Sequence, residues 1–350
     1  MLSLRVAASM VLAPLLVACG ATPPGVPSAP PAATASPAGF AASPVPSLPA
    51  STLGPTPAPT IDVGALPGRI AFDLGHDPNG NSSTLAVISP DGTGYRDITT
   101  LADGLASDPA WSRAGVATLF YDVSSATATH IFSIELVSGP PKQLTSGAVH
   151  DFDPAVSPDG RSLAFDRAPG GASAGPASIF ILDLASGQLT RATTPPAGAT
   201  DGDLYPDWSP DGTHLAYEED GSIAIVDLRD GSTRTVLTPR QPAHRPKWSP
   251  DGQSILFGTT NIDSAPHQVQ LVGLDGQDAR PLTDPAMYAV HPCWSPDGRF
   301  IAYIVRNAAD RDLELRVMTA GGGGSTVIWH TPPGTDLYPG HPSWGSPSGG

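Results

Sequence analysis

A chain of 350 residues has room for two domains, but 41 prolines and 38 glycines against 6% aromatic residues argue that part of it forms no packed core. The formal net charge of −15 argues against nucleic acid as a partner and against charge-driven binding to anionic lipid headgroups. Only two cysteines are present, Cys19 and Cys293, so the fold is expected to stand without an intrachain disulfide.

Residues 1–18 carry one early cation, Arg5, and then a short apolar run ending in Leu16-Val17-Ala18. That run is too short for a membrane-spanning helix, which needs about 20 apolar residues, and it suits a secretory signal. With Cys19 and Gly20, the segment resembles a bacterial lipobox. The resemblance implies that the mature chain begins at Cys19 and that its thiol is acylated. More than one acyl chain anchors a protein stably where a single chain binds reversibly. An exported protein is expected, held by lipid on the cell membrane or outer membrane and facing the periplasm or the cell exterior. Residues 19–66 are mostly Pro, Ala, Ser, Thr and Gly, with Phe40 the lone aromatic and no charge before Asp62. Such a stretch cannot offset its ordering entropy, and it is expected to be a disordered, semi-stiff tether.

From residue 67 the composition changes and a repeat begins. DPAWSRAG (108–115), DPAVSPDG (153–160), YPDWSPDG (205–212), RPKWSPDG (245–252), HPCWSPDG (291–298) and HPSWGSP (341–347) share one pattern. The equivalent residues Trp111, Val156, Trp208, Trp248, Trp294 and Trp344 stand 45, 52, 40, 46 and 50 apart, the period of one four-stranded propeller blade. Between signatures come three further β-rich runs, as in SLAFD, SIFILDL and LTRAT of residues 162–193. SPDG suits a tight hairpin, because Pro presets φ, Asp follows, and Gly accepts the left-handed position. Ser89-Pro90-Asp91-Gly92 follows TLAVI and precedes YRDIT, so it is read as a later hairpin of the first unit. The signature Trp and SPDG residues are assigned packing and turn roles, with the Trp side chains between blades.

The first unit lacks a signature strand before Gly68, and the end of the chain holds a spare one, His341 to Trp344. Circular closure follows as the expectation, giving an all-β, six-bladed propeller over residues 67–345 with 346–350 as a disordered tail. The signature, followed by strands like IAF, IYVMDL and QLT, resembles the propeller of TolB-like proteins of the Tol system. Similar repeats occur in peptidase propellers and glycan lyases. TolB-like chains carry an amino-terminal α/β domain where this chain has its Pro/Ala stretch.

The residue three before each signature position starts the strand that lines the channel. Around the axis these are Asp108, Asp153, Tyr205, Arg245, His291 and His341, with His244 beside Arg245. Carboxylates fall on one side and Arg and His on the other, so the open mouth of the channel is the candidate ligand site, shaped by the loops at 75–84 and 167–178. Replacing Arg245 and His291 is expected to spare the fold, and the two histidines are expected to titrate near about 6.5. A metal set of His291, His341 and Asp108 lacks a tight spacing motif, and neither a metal nor a cofactor is expected. Asp77, Asn79 and Asn81 lack the distal Glu of a calcium loop. Gly171-Ala172-Ser173-Ala174-Gly175 matches a nucleophile elbow, but it sits between strands with no helix to follow. Cys293 reads as a packed thiol. The expected function is a monomeric, non-catalytic propeller that binds an envelope protein, peptide or glycan, and the alternative is a metal-assisted lyase or hydrolase acting at the channel mouth.

Overall fold

In the computed structural model the chain is described at residues 61–76, 82–113, 117–137, 139–170, 175–238, 242–259, 267–306, 313–332, 335 and 337–346. Cys19, most of the 19–66 segment, the Asp77/Asn79/Asn81 triple and residues 171–174 of the elbow-like motif lie outside the described residues. Among the described residues no helix is long and apolar enough to cross a membrane.

β-branched and aromatic runs bounded by Gly, Asp and Ser fold into successive antiparallel meanders. The first unit comprises β1 (Arg69–Gly75), β2 (Ser83–Ile88) and β3 (Arg96–Asp97); the second β4 (Leu105–Trp111), β5 (Thr118–Ser124), β6 (Thr129–Glu135) and β7 (Lys142–Gln143). β8 (Val149–Val156), β9 (Ser162–Pro169), β10 (Ser178–Asp183) and β11 (Leu189–Arg191) follow, then β12 (Asp203–Trp208), β13 (His214–Glu219), β14 (Ser222–Asp227) and β15 (Thr233–Leu237). The fifth unit is β16 (Ala243–Trp248), β17 (Ser254–Thr259), β18 (Val269–Gly273) and β19 (Arg280–Pro281). The sixth is β20 (Tyr288–Trp294), β21 (Phe300–Arg306), β22 (Leu313–Thr319) and β23 (Thr326–His330), and β24 (Tyr338–Gly345) ends the series.

β24 pairs antiparallel with β1, so the sheet order β24-β1-β2-β3 closes the first unit with the last strand of the chain. Among the described residues the strands form four four-stranded sheets and one eight-stranded sheet, where the sequence leads one to expect six separate sheets. The difference has a local cause: β8 starts early enough for His150 to lie parallel to Thr129 of β6, joining two meanders by one bridge. Thr129 Oγ1 stands 3.2 Å from His150 Nδ1 at that bridge.

SPDG folds as its residues require. Gly160 N–H donates to Ser157 O at 2.9 Å, Gly160 takes φ 70°, and Asp159 Oδ1 accepts from Ser157 Oγ at 2.7 Å. Ser89–Gly92 turns between β2 and β3 as read.

Second strands are buried on both faces because each is sandwiched between neighbouring units. Ile70, Phe72 and Leu74 join the cluster of Ile304, Leu315 and Trp344, while Ala71 turns to Trp111 and Leu119 of the next unit. The same pairing recurs around the axis, with Ala164 beside Trp208, Ala216 beside Trp248 and Ala302 beside Trp344. Where the third unit's signature has Val156 in place of Trp, the preceding unit sets Phe120 of β5 against it. A large residue facing a small one conserves volume, which is why the exception is tolerated. Four of the indoles also donate to a neighbouring backbone carbonyl: Trp111 to Ser343 and Trp208 to Ala155 at 3.0 Å, Trp294 to Lys247 at 3.3 Å, and Trp344 to Pro67 at 2.7 Å. Ile61 and Leu66, read from the sequence as the end of the tether, are 8% and 9% exposed and pack in the cluster of Ile70 and Cys293.

Candidate ligand site on the channel axis

Each first strand carries the same defect at the same place. Ser107 pairs with Asp122 and Ala110 with Phe120, so Asp108 and Pro109 together oppose Tyr121. Equivalent shifts occur between Phe152 and Ala155, Leu204 and Asp207, His244 and Lys247, and Val290 and Cys293, and in β24 against Ala71 and Asp73. Proline donates no hydrogen bond to a ladder, so an X-Pro pair favours such a bulge, and a bulge re-aims the side chain before it.

Asp108, Asp153, Tyr205, Arg245, His291 and His341 accordingly have φ of 51°, 54°, 54°, 54°, 51° and 26°. These left-handed backbones cost roughly 1–3 kcal/mol each for residues with a side chain, and they persist where the surroundings over-determine them. The six side chains expected to form a ring therefore converge on the axis.

Their convergence is tighter than an open mouth. Arg245 Nη1 lies 2.7 Å from Asp108 Oδ1 and 2.6 Å from Asp153 Oδ1, and its guanidinium stacks 4.5 Å over the Tyr205 ring. His341 Nδ1 stands 2.8 Å from Asp73 Oδ1 and 3.1 Å from Asp108 Oδ1, with the His291 ring 4.3 Å away. His244 turns to Glu218 Oε2 at 2.9 Å and packs edge-on against Tyr205. Arg245 is only 9% exposed. It is a clamp across the axis, so the expectation that it could be replaced without cost to the fold is corrected.

The expectation for His291 is corrected too. Burial, reinforced by the His341 and Arg245 charges, pushes its pKa well below the ordinary 6.5, so it stays neutral where a free imidazole would protonate. Among the described residues no three His, Cys, Asp or Glu side chains stand together as a metal-binding set.

The ring is the floor of a cavity of about 450 Å³. Its walls run along the first strands to Pro158, Pro210, Pro250 and Pro296 of the SPDG hairpins, so this cavity lies on the hairpin side of the ring and not beneath the loops at 75–84 and 167–178. Two residues beyond each ring position the walls carry Ala110, Ala155, Asp207, Lys247, Cys293 and Ser343. Apart from Cys293, read as a packed thiol, these positions were not singled out from the sequence. Their signal is that they vary most within an otherwise regular signature. Lys247 Nζ lies 3.7 Å from Asp207 Oδ1, while Asp207 Oδ2 accepts the Trp248 backbone N–H at 2.8 Å. Burial pushes the Cys293 thiol up to about 12, against the character of a nucleophile.

Comparison with known proteins agrees with this architecture. The model of the TolB beta propeller domain matches residues 78–296. The uncharacterized peptidase YuxL of Bacillus subtilis is 24% identical over 188 residues, covering 41% of this chain and 28% of that protein. The Tol-Pal system protein TolB of Francisella tularensis is 22% identical over 179 residues, covering 49% of this chain and 39% of the relative. The chain thus spans less than two-fifths of the length of either curated relative. TolB from Acinetobacter baumannii superposes with a TM-score of 0.65 at 23% identity, covering 79% of this chain and 66% of that one. A nidogen/laminin complex superposes at 0.60 with 10% identity over 79% of this chain and 98% of that one, a likeness of fold alone.

Proposed function

Because this chain belongs to the TolB beta propeller domain family, we propose that it is a binding module, a propeller that receives an envelope protein, peptide or glycan in its axial cavity and on the hairpin rim around it. The observation that carries this reading is the cavity itself. Its volume of about 450 Å³ suits a ligand group, and its walls combine proline and tryptophan surface with a few polar groups. The polar floor is occupied with itself, since Arg245 bridges Asp108 and Asp153 and His341 bridges Asp73 and Asp108. Such a floor offers shape and polarity in place of an activated nucleophile or a free acid–base pair.

The eight-stranded sheet is read here as two blades joined at one bridge, which makes six blades closed by β24. Residues 1–18 are read as an export signal, Cys19 as the lipid anchor and residues 19–66 as a tether, so that a monomeric propeller works outside the cytoplasm at a membrane surface.

Two experiments test this reading. Lys247 is 29% exposed at its side chain and lines the cavity wall. Lys247→Met is expected to leave the melting temperature unchanged and to weaken capture of envelope partners about tenfold, roughly 1.4 kcal/mol. Undiminished capture by that variant would move the site off the cavity. Cys19→Ala is expected to release a folded propeller into the soluble fraction, and full retention of the variant on membranes would refute the anchor.

A further inference from the structure

The axial floor is overloaded with carboxyl groups. Asp73 of β1, Asp122 of β5 and Asp166 of β9 are at most 4% exposed, and the side chains of Asp108 and Asp153 are 11% and 10% exposed. Among the described residues, the permanent cation that reaches Asp108 and Asp153 is Arg245 of β16. β24 contributes His341 and β20 His291, β12 contributes the neutral phenol of Tyr205, and His244 of β16 is engaged by Glu218 of β13. Asp122 accepts from Ser107 Oγ at 2.8 Å, a neutral donor.

A buried carboxylate without a counter-charge costs several kcal/mol, and such a group takes up a proton instead. Asp108 and Asp153 reach the same nitrogen of Arg245, which brings two carboxyl groups together on one guanidinium charge. Closely placed carboxyls share a proton because both cannot ionise at ordinary cost.

We propose that this cluster is a proton-dependent clasp: at neutral pH it retains at least one proton among Asp108, Asp122 and Asp153, and the blades are held more tightly in mildly acidic than in alkaline solution. Three of the units meet there, with Asp108 and Asp122 from the second, Asp153 from the third and Arg245 from the fifth, so the protonation state acts on contacts that cross the axis. The electrostatics point the same way. Burial drives Asp122 well above the ordinary carboxylate range and the Asp108 charge adds to the effect; burial also raises Asp153 beyond what Arg245 offsets. Asp108 is the ionised partner, since against its burial the Arg245 and His341 charges hold it at about 2.

The sign follows from linkage. A carboxyl raised in the folded state binds its proton only there, between the ordinary value of 3.8 and its raised value, so its contribution is full below that interval and is lost as pH climbs through it. His291, depressed below 6.5, acts oppositely and removes stability as pH falls under its ordinary value. Comparing wild type with a single carboxyl variant cancels the histidine contribution.

The test is urea unfolding of the full chain and of Asp122→Asn between about pH 4 and 9, with infrared difference spectra of the folded wild type. The wild-type unfolding constant, divided by that of the variant, is expected to rise about tenfold per pH unit through the interval in which Asp122 holds its proton. The wild type at neutral pH is expected to show the carbonyl stretch of a protonated carboxyl, and the band should fade on alkalinisation. A ratio that stays flat from acid to alkaline pH would overturn the clasp. Should Asp122→Asn fail to fold, the spectrum of the wild type decides alone, and absence of the band refutes the proposal.

Discussion

Arg245→Met is expected to destabilise the propeller by about 3–5 kcal/mol at neutral pH, because it leaves the Asp108 and Asp153 carboxyls together in the interior without their counter-charge. Methionine keeps most of the aliphatic volume, so the loss reports charge more than packing. The stack on Tyr205, at 4.5 Å, goes with the guanidinium. Protonation of the abandoned carboxyls relieves part of the cost, so the deficit should shrink as pH is lowered from about 7.5 to 5. Arg245→Met combined with Asp108→Asn should recover part of the lost stability, since the second change removes the ionised carboxyl left without its partner. Urea unfolding of the two variants at both pH values measures this. A loss under about 1 kcal/mol, the range of exposed ion pairs, would show that the bridge does not hold the axis.

Removing the closing strand is expected to do more. Truncation after Leu337 deletes β24 and with it the ladder from Arg69↔Gly345 to Gly75↔Tyr338. It takes away Trp344, which is 7% exposed in the cluster of Ile70, Phe72 and Ile304, and His341, which holds Asp73. Loss of a buried Trp side chain alone costs about 3–5 kcal/mol, and an opened first sheet also presents an unpaired edge. The sum approaches the whole stability of an ordinary domain, about 5–15 kcal/mol. The truncated chain should therefore show no cooperative melting transition, while Trp344→Ala alone should melt cooperatively at a lower temperature. Equal melting temperatures for the truncated and full chains would mean that β24 does not close the ring.

Local chemistry made much of this protein legible in advance. SPDG carries its own turn, the β-branched runs carry their own strands, and the signature before β5 with no counterpart before β1 required a strand from the chain's end. The position three before each signature residue, where the channel-lining strand was read to start, also marked the side chains that meet on the axis. What they do there depended on the tertiary structure alone. Asp153 and Arg245 lie 92 residues apart and meet at 2.6 Å because bulges on two non-adjacent units aim them at each other, an encounter that no local pattern encodes. Phe120 filling the space that Val156 leaves, and Ile61 and Leu66 joining the core ahead of the first strand, are likewise decided by volume between elements distant in sequence. Burial then set the chemistry. A histidine read as a pH-responsive group in water becomes one that resists protonation once His341 and Arg245 are packed around it, because ionisation depends on the solvent and charges that only the assembled ring supplies.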